Sequence, residues 1–196
     1  MSITITVDTS RLEAKLSQIA GGLEKAKRRA AARTATHTKK VISDKVRERI
    51  AVKASTVKEN VSSKKQGDGQ VIRLSKSDRV SLRQFGARQT KKGVSYRIGK
   101  TGKRGFVPSA FIVESLHGQV FKRVGAKRAM TKGRYIGKIR QPIQKLWGPS
   151  PWGAFTGGKN QKTVQDATPE TVADTSDFYR KRLEHEISFV INQANG

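Results

Sequence analysis

The spacing of apolar side chains along this chain changes period several times. Apolar residues recur every three or four positions from Arg11 to about Ile50, which predicts a long helix that Gly21-Gly22 can kink or split. A short capped helix is expected at 55–59. A last helix is predicted from Thr168, as N-cap before Pro169, to about Asn192.

Strict alternation of apolar and polar residues predicts strands elsewhere. Residues 3–7 alternate in this way, and residues 71–123 alternate repeatedly, which indicates an antiparallel meander of four or five strands. Within the meander, a break at His117-Gly118 predicts a hairpin between residues 106 and 124. Polar and glycine-rich stretches predict loops at 62–69, 88–93 and 99–105.

These elements indicate an α+β fold, in which a long N-terminal helix and a C-terminal helix pack on an antiparallel sheet with extended basic loops. We expect one domain in three parts. Residues 1–140 form a basic body of helix and sheet, 141–168 an extended segment rich in Pro, Gly and Trp, and 169–196 a C-terminal helix that packs back on the body. Apolar residues make up only 35% of the chain, so neighbouring subunits are expected to contribute to stability.

Positive charge is concentrated in the first 140 residues. The chain has 41 Lys and Arg against 15 Asp and Glu, a formal net charge of +26. Residues 64–140 alone contain 21 basic against 3 acidic residues, whereas residues 141–196 contain 6 of each. Such a surface is expected to meet a polyanion, an acidic protein, or both.

Lysine and arginine in the predicted loops are the candidates for contact with DNA or an acidic partner. Glycines around them favour mobile tips, and phosphate contacts need no base recognition. The alternative is a solvated loop without a partner. The candidate residues are Lys64, Lys65, Arg88, Lys91, Lys92, Lys100, Lys103 and Arg104.

The sequence gives little support to catalysis, and we expect no enzyme, cofactor or metal. The Gly-Lys-Thr at 99–101 has no glycine at the Walker spacing and no helix after it, so it is not a P-loop. His37, His117 and His185 lie far apart, and there is no cysteine. Neither a signal peptide nor a membrane span is expected.

Three ordered motifs lie between residues 106 and 150. The first contains Pro108, Ala110, Phe111 and Ile112, and the second contains Gly118, Val120, Phe121 and Arg123. The third consists of Arg140, Pro142, Ile143, Leu146, Gly148, Pro149 and Ser150. In this order and spacing they resemble the phage minor tail protein Z family, the tail-completion proteins of long-tailed phages and prophages. The aromatic and glycine-rich stretch 150–158 departs from that family.

The resemblance implies a structural protein of the virion, made in the host cytoplasm and placed at the head-proximal end of the tail. It implies a ring, with six copies expected, around the DNA channel, and a role in tail maturation and head–tail joining. Its partners would be further copies, the genomic DNA, and the tail terminator, tail tube and connector, with no membrane. An independent basic nucleic-acid-binding protein is the alternative.

Apolar residues near the motifs are candidates for a subunit interface, because prolines favour an extended segment there and Trp is enriched at binding hot spots. The alternative is that they close the chain's own core. The candidates are Phe111, Phe121, Pro142, Ile143, Leu146, Trp147, Pro149 and Trp152.

Overall fold

The computed structural model describes residues 2–3, 21–76, 78–100, 102–133, 135–157 and 166–194. The chain forms two compact units. The helical unit comprises Met1–Val46, Ala54–Asp78 and Pro151–Gly196, and the sheet unit comprises Arg47–Lys53 and Arg79–Ser150. Helices and antiparallel strands occur in separate stretches of the chain, so the predicted α+β class is confirmed. The three-part division expected from the sequence stays a prediction.

Among the described residues, two long helices and two short ones make up the α-helical structure. They are α1 (Gly22–Arg49), α2 (Ala54–Glu59), α3 (Pro151–Thr156) and α4 (Thr168–Ala194). Gly21 has a positive φ of 70° before α1, a conformation that glycine adopts without strain. The part of the predicted first helix before residue 21 lies outside the described residues.

The long helices α1 and α4 pack side by side in antiparallel directions. Ala26 and Ala30 of α1 form a buried cluster with apolar residues of α4, among them Leu183 and Ile187. Farther along, the hydroxyl groups of Thr38 and Thr175 lie 3.2 Å apart. The apolar face of α4 therefore packs against α1.

The helical unit also contains a three-stranded antiparallel sheet in the order β1-β3-β2. Its strands are β1 (Ser2–Ile3), β2 (Val61–Gln66) and β3 (Gly69–Leu74). A turn at Gly67-Asp68 joins β2 to β3, and the φ of Gly67 is 58°. The remainder of the strand predicted at 3–7 lies outside the described residues.

The described part of the sheet unit contains three small antiparallel sheets, with orders β4-β5-β6, β11-β8-β7 and β10-β9. Their strands are β4 (Arg88–Thr90), β5 (Gly93–Tyr96), β6 (Gly105–Pro108), β7 (Ala110–Val113), β8 (Gln119–Arg123), β9 (Arg128–Ala129), β10 (Ile139–Arg140) and β11 (Ile143–Lys145). The predicted hairpin is confirmed as β7–β8, with Phe111 opposite Phe121. Phe85, Val94 and Val120 are among the fully buried side chains of the sheet unit.

Five local predictions were wrong. The stretch 88–93, expected to be a loop, is strand at 88–90 and again from residue 93, with a short turn between them. The stretch 62–69 is mostly strand β2, a polar edge strand whose side chains give no apolar alternation to detect. The alternating residues 80–85 include a 3-10 turn, Leu82–Phe85, which buries Leu82 and Phe85. The segment expected to be extended contains α3, because proline fits the first turn of a helix. Asp166, and not Thr168, supplies the capping oxygen of α4, which accepts the Thr168 N–H at 2.8 Å.

Candidate polyanion-binding surface

The surplus positive charge lies mainly in the sheet unit. Its residues include 21 Lys and Arg but only two carboxylates, Glu48 and Glu114, for a net charge of +19. The helical unit has 20 basic and 13 acidic residues, for a net charge of +7. Two carboxylates cannot neutralise 21 cations whatever their positions, so the sheet unit attracts anions from outside its own residues.

Carboxylates of the helical unit are paired with its own basic side chains. Asp68 lies 3.2 Å from Arg28, and Glu170 lies 2.7 Å from Lys45. Glu186 is shared by Arg182 and Arg29. These ion pairs reduce the positive electrostatic potential around the helical unit, because each cation lies beside an opposite charge. The contrast makes the sheet unit the stronger candidate for a polyanion-binding surface.

Two basic connections flank the sheet β4-β5-β6. Lys91 and Lys92 form the exposed turn between β4 and β5, where the Thr90 hydroxyl donates to the Gly93 carbonyl at 2.8 Å. Lys100 and Lys103 are exposed in the connection between β5 and β6. In an antiparallel meander successive connections lie at opposite ends of the sheet. The two lysine pairs are therefore about 13 Å apart along the four-residue strand β5, and they do not form one cluster.

Neither Arg88 nor Arg104 lies at the tip of a loop, because Arg88 is the first residue of β4 and Arg104 directly precedes β6. Arg88 is exposed in β4 opposite Ser95. The Arg104 guanidinium turns back to donate to the Gly86 carbonyl at 2.6 Å and to the Ser95 carbonyl at 3.1 Å. Arg104 therefore ties together two backbone segments of the sheet unit, a role that the sequence pattern did not indicate.

Lys64 and Lys65 belong to the other unit. They are exposed on the edge strand β2, opposite Val71 and Gln70. Lysine on an edge strand also prevents unwanted pairing with other chains, which is an alternative role for these residues. The structure thus separates these two candidates from the six in the sheet unit.

The hairpin β9–β10 carries basic residues that the sequence analysis did not select. Lys127, Arg128, Lys132, Lys138 and Arg140 are exposed along it. Ile136 and Ile139 are 67% and 73% exposed, and the Arg140 guanidinium lies 3.9 Å from the centre of the Tyr135 ring. The signal that could have found it is the absence of any Asp or Glu between Glu114 and Asp166.

The three sequence motifs meet in the sheet β11-β8-β7, which we call the motif sheet. Ile143 of the third motif lies opposite Arg123 of the second, and Phe121 lies opposite Phe111 of the first. The Leu146 N–H donates to the Val120 carbonyl at 2.8 Å. Residues 10 to 26 positions apart in sequence are thus neighbours on adjacent strands.

The candidate interface residues differ in how accessible they are. Phe121 is buried, and Phe111 is half-buried with its ring centre 6.4 Å from that of Phe121. Ile143 and Trp147 are the most open, at 45% and 47% exposed. The other four are half-buried: Pro142, Leu146, Pro149 and, on helix α3, Trp152.

Ile143, Lys145 and Trp147 alternate along one extended segment, and the Lys145 amino group lies 4.0 Å from the centre of the Trp147 ring. Alternate residues of a strand point to the same side. This side of the motif sheet therefore combines exposed apolar surface with positive charge.

No group of His, Cys, Asp and Glu suited to a metal ion occurs among the described residues. The described helices include none that is long and apolar enough to cross a membrane. No family model matches the chain, and neither a curated protein nor a solved structure matches it.

Proposed function

We propose that this protein is a structural virion component, a tail-completion or connector protein at the head-proximal end of a phage tail. In this role it forms a ring, with six copies expected, around the DNA channel. It joins the tail terminator, tail tube or connector in tail maturation and head–tail joining. The proposal assigns it no catalytic activity.

The observation that carries the proposal is the charge of the sheet unit, with 21 basic residues against two carboxylates. Six copies at +26 each would carry about +156, and such a ring closes only if polyanion or acidic neighbours offset the repulsion. Double-stranded DNA in a channel supplies a dense row of phosphates that lysine can contact without base recognition.

The motif sheet gives a second support, because its motif residues have structural roles. A Cβ on Gly148 would lie 2.2 Å from a ring carbon of Phe85, so only glycine fits there without a shift. Gly118 has a φ of 65° and lies against the Arg83 side chain. Motifs that define packing are expected of a scaffold protein whose sequence resembles a family of tail-completion proteins.

An independent nucleic-acid-binding protein is the second candidate. The same charge favours it, and duplex DNA would then bind to single copies. The exposed Ile143 and Trp147 favour assembly instead, because phosphate contacts have no use for large apolar side chains.

Light scattering distinguishes the tail protein from the independent nucleic-acid-binding protein. The purified chain is measured at low and high salt, with and without the products of neighbouring genes. The tail proposal predicts a discrete particle of about six times the 21.6 kDa chain mass, alone or with those partners. A variant with Ile143→Ser and Trp147→Ser should lose that particle, whereas Lys91→Gln should keep it. A monomer under every condition would contradict the proposal and favour the second candidate.

A further inference from the structure

An open groove of about 600 Å³ runs between α1 and α4 in the helical unit. Ala32 and Thr36, two small residues of α1, leave room in it. Phe189 of α4 lines the groove and is 44% exposed. Grooves of this volume accommodate a few side chains of a ligand.

Positive charge is in excess along the groove. Three guanidinium groups line it, those of Arg29, Arg33 and Arg182, and the carboxylate among the lining residues is that of Glu186. Glu186 is 5% exposed and accepts a hydrogen bond from Arg182 at 2.6 Å. These four side chains therefore give the groove a net charge of +2.

The arginines that line the groove keep N–H donors available after Glu186 is paired. Arg29 lies 3.8 Å from the Glu186 carboxylate, beyond hydrogen-bond distance, and its guanidinium lies 5.7 Å from the centre of the Phe189 ring. Arg33 is exposed and has no ion pair within the described part of the chain. The Nε of Arg182 is buried without a partner, and a buried donor without an acceptor is unfavourable. Together these groups can bind an incoming oxyanion.

We propose that this groove binds a carboxylate side chain on an acidic segment of a partner protein, with an apolar neighbour of that carboxylate packed on Phe189. Guanidinium groups pair with carboxylates through two parallel hydrogen bonds. The Phe189 ring offers apolar contact that a phosphate cannot use. The inference goes beyond the proposed function, because it assigns a protein ligand to the unit with the smaller charge surplus.

Duplex DNA fits this groove less well. Helix α4 contains five carboxylates and three basic residues, so a phosphate backbone laid along it would meet like charge. Glu184 and Asp177 are exposed on this helix.

The test is an NMR titration with a blocked Glu-Phe-Glu tripeptide, compared with the Gln-Phe-Gln tripeptide. Methyl signals of Ala32 and Thr36 report binding in the groove itself. The Glu peptide should shift these signals in a saturable way, and the Gln peptide should bind at least about tenfold more weakly. Equal binding of the two peptides, or no shift by either, would overturn the proposal.

Two variants locate the charge that matters. Arg33→Gln should weaken binding of the Glu peptide about tenfold while leaving the thermal unfolding curve unchanged, because Arg33 is exposed. Arg180→Gln is the control, since Arg180 lies on α4, the other helix of the pair, is 59% exposed and pairs with Asp177 outside the groove. Equal loss in both variants would contradict the assignment. Displacement of the Glu peptide by a short DNA duplex, lost in Arg33→Gln, would assign the groove to phosphate instead.

Discussion

Replacing Gly148 by alanine is expected to lower the free energy of unfolding by about 1–3 kcal/mol, and by a value near the upper end. The added Cβ would lie 2.2 Å and 2.7 Å from two ring carbons of Phe85, whose side chain is 1% exposed. The backbone cannot easily retreat, because the Gly148 N–H donates to the Val80 carbonyl at 2.8 Å. Removing the clash between the added Cβ and the Phe85 ring therefore requires a displacement of about 1 Å within a closely packed core.

Urea unfolding followed by tryptophan fluorescence measures this cost. The chain has two tryptophans, and a Trp152→Phe background leaves Trp147, next to the altered residue, as the sole reporter. The Gly148→Ala variant should unfold at a lower urea concentration, and the slope of its unfolding free energy against urea concentration should be unchanged. Gly69→Ala is the control, because its Cβ would make only an ordinary 3.6 Å contact, and it should change stability by less than about 0.5 kcal/mol.

A second substitution tests the cause. In a Phe85→Leu background the ring is gone, so adding the alanine at 148 should cost less than half of what it costs in the parent. The difference is the coupling energy of the two sites. The reasoning fails if Gly148→Ala is neutral, or if its cost is the same in both backgrounds.

Three further predictions concern the helix pair and the basic sheet. Leu183→Ala should lower the free energy of unfolding by about 2–5 kcal/mol in urea titrations followed by circular dichroism, since Leu183 is 1% exposed, whereas a small loss would contradict the packing. Burial raises the pKa of Tyr179 above its ordinary 10.0. The unfolded chain then ionises first, so stability should fall above about pH 10, and less steeply in Tyr179→Phe. Arg104→Lys keeps the charge but loses the fixed pairing with Gly86 and Ser95, so it should destabilise by about 1 kcal/mol and leave DNA affinity unchanged. A loss of affinity without a loss of stability would assign Arg104 to the ligand.

Strong periodicity in the sequence was enough to predict the long helices and the β7–β8 hairpin. Buried positions such as Ala26, Ala30 and Leu183 recur at helical spacing, and the apolar stripe identifies each helix. The stripe does not identify the partner, because a helix and a sheet bury an apolar face equally well. The pairing of α1 with α4 depends on contacts across about 150 residues of sequence.

The positive charge of the candidate surface could be read from composition, but the layout of that charge could not. Charge counts alone favour an anionic ligand, and that ligand stays a prediction. Which lysines share an end of a sheet depends on the strand order, and the sequence pattern gave one meander where the sheet unit has three sheets. The structural role of Arg104 depends on backbone carbonyls of Gly86 and Ser95, which become neighbours only after folding. No local pattern reports such contacts.

The salt dependence of duplex DNA binding tests the central claim, that the surplus charge of the sheet unit faces a polyanion. One variant replaces four exposed lysines of the sheet unit by glutamine, and the control replaces four of the helical unit. They are Lys91, Lys92, Lys100 and Lys103 in the first, and Lys25, Lys40, Lys58 and Lys181 in the second.

Each lost phosphate contact should reduce the slope of log affinity against log salt by about 0.9. The account predicts that the sheet-unit variant loses up to about 3.6 in slope, while the control keeps nearly the slope of the parent chain. Equal slopes in the two variants, or a larger loss in the control, would contradict it.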